Sequence, residues 1–390
     1  MGRYRWTVLP PAVTLPLIIA HRGASGYHPE HTYSAFKLAI DQGADALEPD
    51  LVASRDGVLV IRHENEISLT TDVASRPEFA RLRTTKVVNG VSRTGWFTED
   101  FTWAELTTLR SVERLPDIRR GNVVHDGRDR MLRFEELLAL VDAQDRPVGV
   151  VAEIKDASYF ASLGFRLDTM LASALAAAGW TDDERLTVES FELSFFASMR
   201  ASGVGGRFVY LIKAKGSPAD QPDVTYASYL TDEGLRGLAS VVDGISVNKL
   251  LLLAQDSAGG GTVTDLVSRA HAAGLTIYCW TLRAENEFLG PEHQIGDSPW
   301  GIGNWAAEFG LLMASGIDGI FTDQPDLAVI AREQIRVARA SVDAEFAKEH
   351  VPPRVVPVNR APVRRAANRV RPPAPLAPSP ALATEPIDLS

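Results

Sequence analysis

The sequence predicts an α/β protein whose core is a closed (β/α)8 TIM barrel, interrupted by one insertion and followed by a disordered tail. Three observations carry this reading: eight short β-rich runs, helical stretches between them, and no nucleotide-binding glycine motif after the first run. The runs are LPLIIAH (15–21), ALEPDLV (46–52), VGVVAEIK (148–155), LTVESF (186–191), RFVYLI (207–212), GISVNK (244–249), LTIYCWTL (275–282) and DGIFTDQP (318–325). Helical patterns such as HTYSAFKLAIDQG, FRLDTMLASALAAAG, VTDLVSRAHAAG and NWAAEFGLLMASG lie between them, several closed by a glycine, as expected just past a helix end. An open doubly wound sheet is the main competitor, but neither GxGxxG nor a P-loop is present.

A further strand, VLVIRH (58–63), follows the second run after SRDG, whose Asp-Gly pair predicts a hairpin at the barrel rim. From about 64 to 133 the strand-helix rhythm stops, and this stretch reads as an insertion over the mouth of a domain spanning 15–335. The segment 351–390 holds ten of the 23 prolines and six arginines against two acids, without apolar periodicity, which predicts a disordered tail.

Composition narrows the function. With 45% hydrophobic and 23% charged residues the chain is an ordinary globular protein, and a net charge of -10 argues against nucleic acid or an anionic membrane surface as partner. An anionic small-molecule substrate therefore requires local positive charge. The single Cys279 reads as a buried small hydrophobe and excludes an intramolecular disulfide. Pro10, Pro11 and Pro16 break the apolar N-terminal run, so no signal peptide is read and the expected location is the cytoplasm. No transmembrane segment is predicted, and oligomeric state stays open.

The chemistry collects at strand ends. Residues two apart in a strand face one side, which pairs Glu48 with Asp50 in LEPDL and Glu153 with Lys155 in AEIKD. Three carboxylates converging at the catalytic end of a barrel suit a hard divalent cation, Ca2+ or Mg2+, better than zinc. His21 ends the first strand and His63 the hairpin strand, so two imidazoles reach the same rim, one to take a proton and one to give one. Three carboxylates and one divalent cation leave about -1; Arg22 and Lys155 raise that to +1, which a phosphodiester monoanion neutralises. Each residue also has a structural reading: a rim salt bridge for the acids, a packed strand end for either histidine, a rim or core aromatic for Trp280.

At these residues the sequence resembles the glycerophosphodiester phosphodiesterase family. HRGASGYHPEHT (21–32) is similar to its opening motif and EPDLVASRDGVLVIRHE (48–64) to its second segment, while AEIK, ESF, YCWT and FTDQPD follow as later landmarks. The resemblance implies that His21 and His63 are the acid-base pair and that Glu48, Asp50 and Glu153 hold the metal. It implies phosphate or substrate binding for Arg22, Lys155, Glu189, Phe191 and Trp280. GYHPEHT and the long segment after His63 resemble the bacterial periplasmic-type branch, often calcium-dependent, where the insertion helps to cover the site. His31 stands where many members carry asparagine, and its place at a helix start suggests a capping or orienting role.

The implied reaction is metal-dependent hydrolysis of a glycerophosphodiester to sn-glycerol 3-phosphate and an alcohol. Two alternatives stand beside it: a phospholipase D-like hydrolase of lysophospholipids or sphingolipids, which needs an apolar entrance, and a non-catalytic barrel that binds a phosphorylated metabolite.

Overall fold

The computed structural model describes residues 15–255 and 261–349; the predicted tail lies outside the described residues. Of the chain's two compact units, Met1–Asp343 holds the barrel, and the described part of the other, Ala344–Ser390, is the end of the helix Pro325–Glu349. Among the described residues no helix is long and apolar enough to cross a membrane.

All eight expected runs form parallel barrel strands. In chain order they are Leu17–His21, a second strand in two pieces, Gly149–Ile154, Leu186–Ser190, Arg207–Ile212, Gly244–Asn248, Thr276–Leu282 and Gly319–Thr322. The first strand pairs with the eighth on one side and the second on the other, which closes the sheet and leaves no barrel edge. The last run ends earlier than its sequence suggested. Its strand stops at Thr322, because Pro325 cannot donate to a ladder and instead opens the final helix.

The second run is not one strand. Ala46–Glu48 pairs with the first strand, His21 opposite Glu48, while Asp50–Ala53 pairs with the third strand, Asp50 opposite Glu153. Pro49 between them lacks an N–H, and there the chain leaves the first strand but keeps one register with the third, since Ala46 also pairs with Gly149 and Leu47 with Val150. Beyond it, Leu59–Ile61 folds back antiparallel on Asp50–Ala53 as the expected hairpin. Residues 64–133 then form 3-10 turns, the hairpin Thr84–Val88 with Val91–Gly95, and one short helix, Trp103–Leu106.

Two separate apolar cores result. The larger packs the helices against the outer faces of the strands, with Phe36, Leu138, Leu171, Phe196 and Phe309 from five different helices. The smaller, Ile19, Ala46, Val151, Val209, Tyr278 and Phe321, comes one residue per strand from six strands and plugs the barrel interior. Tyr278 fills the space opposite Gly319, where an added Cβ would lie 2.9 Å from the tyrosine ring and 3.3 Å from Ile19. Gly319→Ala should therefore cost about 1–3 kcal/mol through overpacking. Denaturant unfolding measures this, and Tyr278→Leu in the same background should return part of the loss.

Candidate active site

Side chains two residues beyond the barrel plug face the same interior. From Ile19, Ala46, Val151, Val209, Tyr278 and Phe321, that step leads to His21, Glu48, Glu153, Leu211, Trp280 and Asp323. The period of two thus converts an apolar plug into a polar mouth within one step. A cavity of about 490 Å3 opens there, lined by His21, Arg22, Glu48, His63, Glu153 and Glu189 with Phe191 and Trp280 among its walls. Asp50 and Lys155 stand behind this lining, and all ten predicted residues belong to one cluster.

Ligand oxygens of Glu48, Asp50 and Glu153 all lie within 4.8 Å of one another, and all three side chains are buried. Burial, with Asp50 as the next cause, raises the Glu48 carboxyl well above the usual range. Burial likewise pushes Glu153 up to about 8, despite Lys155 Nζ at 2.6 Å. Burial alone would raise Asp50 too, but Lys155 and Arg22 hold it well below the ordinary value. Asp50 is gripped from several sides: His31 Nε2 at 2.8 Å, Arg22 Nε at 3.2 Å and Lys155 Nζ at 3.5 Å. Buried carboxyls that hold protons for want of positive charge fit a divalent cation among them.

Glu189 sits beside this group with Oε1 buried and unpartnered, and burial next to Glu153 and Asp50 raises its carboxyl well above the usual range. Its surroundings thus favour the neutral carboxyl over the charged one. Phe191 and Trp280 meet edge to face with ring centres 5.8 Å apart, and the Trp280 indole donates to the Ser246 carbonyl oxygen at 3.1 Å. Lys155 Nζ lies 5.6 Å from the Phe191 ring centre.

Both histidines present the same design. His21 Nδ1 lies 2.6 Å from Asp323 Oδ1, and His63 Nδ1 lies 2.6 Å from Glu64 Oε1. Asp323 and Glu64 are both held far below the usual carboxylate range by cations and by their histidines, against their own burial. An ionised carboxylate only accepts, so each Nδ1 is the N–H donor and each Nε2 is left to exchange protons. Burial, then the Arg22 charge, lowers His21 to about 4; burial, then Arg22 and Lys155, lowers His63 to about 3. Both rings are neutral at pH 7 before a substrate anion offsets those cations.

Arg22 is turned to this site by an unusual backbone. Its φ of 60° is left-handed, a region that costs a side-chain-bearing residue about 1–2 kcal/mol. Its N–H donates to both the Glu48 carbonyl oxygen at 3.1 Å and Glu48 Oε2 at 2.8 Å, and its guanidinium donates to Glu30 at 3.0 Å. His31, φ 59°, is also left-handed and points into the interior at Asp50. Of the two roles expected of His31, capping belongs to Thr32, whose hydroxyl accepts from the Ala35 N–H ahead of helix Tyr33–Asp41, while the bond to Asp50 fits the orienting one. The short threonine side chain reaches the helix end, whereas the imidazole is committed to a carboxylate.

Residues without an assigned role in the sequence complete the site. Asp323 was reachable by counting two beyond Phe321. Glu30, Arg114, Arg119, Arg283 and Glu285 carried no such periodic signal, since they come from loops.

The model of the glycerophosphoryl diester phosphodiesterase family matches residues 21–327. The chain is similar to an Arabidopsis thaliana protein named glycerophosphodiester phosphodiesterase GDPD6, 31% identical over 337 residues, covering 81% of this chain and 86% of that protein. A Haemophilus influenzae glycerophosphodiester phosphodiesterase is 25% identical over 343 residues, covering 80% of this chain and 88% of its own. An Oleispira antarctica phosphodiesterase, solved in complex with the product sn-glycerol-3-phosphate, aligns with a TM-score of 0.55 at 20% identity over 82% of this chain and 97% of its own. An Agrobacterium tumefaciens glycerophosphodiester phosphodiesterase aligns at 0.51 with 18% identity, over 80% and 99%. The two solved structures share the fold.

One prediction follows from Glu153. Its folded-state value of about 8 exceeds the ordinary 4.5, so the metal-free folded chain binds more protons than the unfolded chain between those values. The stability it contributes is present below 4.5 and lost as pH rises toward about 8. With chelator present, the Tm of the wild type relative to that of Glu153→Gln should fall across that window, a comparison in which the opposite trend from His21 and His63, both lowered from 6.5, cancels; saturating Ca2+ or Mg2+ should raise Tm most at the alkaline end. An unchanged slope in the glutamine variant would refute the account.

Proposed function

Because this chain belongs to the glycerophosphoryl diester phosphodiesterase family, we propose that it hydrolyses glycerophosphodiesters to sn-glycerol 3-phosphate and an alcohol, with His21 and His63 as the acid-base pair. The single observation that carries this is the matched pair of rings. Two imidazoles line one cavity, each tied through Nδ1 to a carboxylate, with three clustered acids between them and the barrel floor.

Glu48, Asp50 and Glu153 would hold the divalent cation, with Ca2+ placed first for the likeness to the periplasmic-type branch and Mg2+ as the alternative. When bound, that ion supplies Lewis-acid charge to a phosphoryl oxygen. Arg22, at the cavity wall, adds a fixed cation facing the phosphate. One histidine takes the proton of the attacking oxygen at Nε2, and the other returns a proton to the departing alcohol. Glu189, kept protonated, offers an O–H to the substrate, and Phe191 with Trp280 supplies an apolar wall. Lys155 neutralises Glu153 and Asp50 from behind and contributes to phosphate binding through its charge. The product found with the Oleispira antarctica enzyme is the one proposed here. GYHPEHT and the insertion after His63 support the periplasmic-type branch as the finer assignment.

Purified protein incubated with glycerophosphocholine and Ca2+ or Mg2+, with glycerol 3-phosphate coupled to a dehydrogenase, should show turnover that EDTA abolishes. His21→Ala and His63→Ala should each lower kcat by about 10²–10⁴-fold. Turnover that persists through both substitutions, or that occurs only on detergent-dispersed lysophospholipid, would overturn the assignment.

A further inference from the structure

The expected insertion does more than lie over the mouth. Its loop at 113–122 buries the side chain of Arg119 and half-buries that of Arg114, and each ends on a carboxylate that is itself hydrogen-bonded to one of the two histidines. Arg119, 8% exposed, donates from Nη2 to Asp323 Oδ2 at 2.5 Å, from Nε to Glu285 at 2.8 Å and from Nη1 to the Ser25 carbonyl oxygen at 2.9 Å. Asp323 in turn holds His21. Arg114 uses both edges of its guanidinium. It grips Glu64 at 2.6 and 3.1 Å and Glu30 at 2.6 and 2.8 Å; Glu64 holds His63, and Glu30 holds Arg22.

Taking a guanidinium out of water is costly unless its partners repay it, and a segment that merely shields a cavity has no need for two such groups. The loop is also braced from within. Glu113 accepts from the Leu115 N–H at 2.8 Å and from Asn122 Nδ2 at 2.9 Å, which fixes the turn carrying both arginines. Arg114 meets two carboxylates with four contacts, a geometry that a planar fork provides and an ammonium does not.

We propose that Arg114 and Arg119 are positioning residues through which the insertion assembles the catalytic pair: Arg119 fixes His21 by way of Asp323, and Arg114 fixes His63 and Arg22 together by way of Glu64 and Glu30. The roles of the two histidines rest on the function proposed above, but the locking of their rings does not. Arg119 acts on one ring alone. Arg114 acts on a ring and on the phosphate-facing cation, so the two arginines have separable signatures.

The test uses Arg119→Lys and Arg114→Lys in the full chain, with Arg120→Ala as control, since Arg120 stacks on Trp300 outside this network. Long-range 15N spectra of histidine-labelled protein, recorded without substrate, read the tautomer of each ring. Wild type should show both rings protonated at Nδ1. Arg119→Lys should mix tautomers at His21 only, and Arg114→Lys at His63 only. With glycerophosphocholine, Arg119→Lys should lower kcat about 10–100-fold with KM within about twofold, as for lost support of first-contact groups. Arg114→Lys should lower kcat similarly and raise KM. On an Asp323→Asn background, Arg119→Lys should add less than about twofold, because the two act in one chain. Should a lysine variant unfold, Arg119→Gln, which keeps N–H donors without charge, is read in its place. Unchanged ring spectra with unchanged kcat, or losses that multiply in the double variant, would overturn the proposal. A wild type with locked rings but no turnover would overturn the assigned reaction and leave the positioning intact.

Discussion

The cost of burying charge at the mouth of this barrel governs the rest of the structure. Glu48, Asp50, Glu153 and Glu189 all face one small volume at 6% exposure or less. Carboxylates in such a place must be protonated, paired or bound to a cation. The protein uses each of these answers. Glu189 keeps its proton, Asp50 is surrounded by Lys155, Arg22 and His31, and Glu48 with Glu153 is left short of positive charge. That shortage leaves the cluster able to take a divalent cation, which a set of closed salt bridges could not.

Backbone shape serves the same end. Pro49 ends the pairing with the first strand after Glu48, opposite His21, while one register with the third strand runs through it and sets Asp50 opposite Glu153. Arg22, His31 and Asp156 adopt left-handed conformations around the same mouth, at φ of 60°, 59° and 49°. Three such residues are an energetic burden, and their gathering here marks where packing overrules local preference. Stability for this comes from elsewhere, chiefly the large core between strands and helices.

Much of this was legible in the sequence, for a definable reason. The strands repeat a period of two and the helices a longer one, so element type and the inward face could be counted without knowing any contact. His21, Glu48 and Glu153 fall on that count, and Asp323 would have fallen on it too, two beyond Phe321. Pro49 signalled a break in a run that was read as continuous. What no pattern revealed was contact between distant loops. Arg114 meets Glu30 across 84 residues, and Arg119 meets Asp323 across 204. Neither loop has a period, and pairing of this kind depends on the closed barrel bringing its ends together. His31 was legible only as capping or orienting: its bond to Asp50 is of the second kind, and the capping rule is satisfied by its neighbour Thr32.

The two histidines share a design but not an environment. Asp323 beside His21 receives both Arg119 and Arg283, and Arg283 also lines the cavity. Glu64 beside His63 receives Arg114 alone, which it shares with Glu30. The carboxylate behind His21 is thus the more fully neutralised, and such a carboxylate gives weaker support to a positive imidazole. His63 has the less neutralised partner but stands closer to the field of Lys155 as well as Arg22. A phosphodiester anion arriving between the rings opposes those two cations, so the substrate itself raises the proton affinity of both.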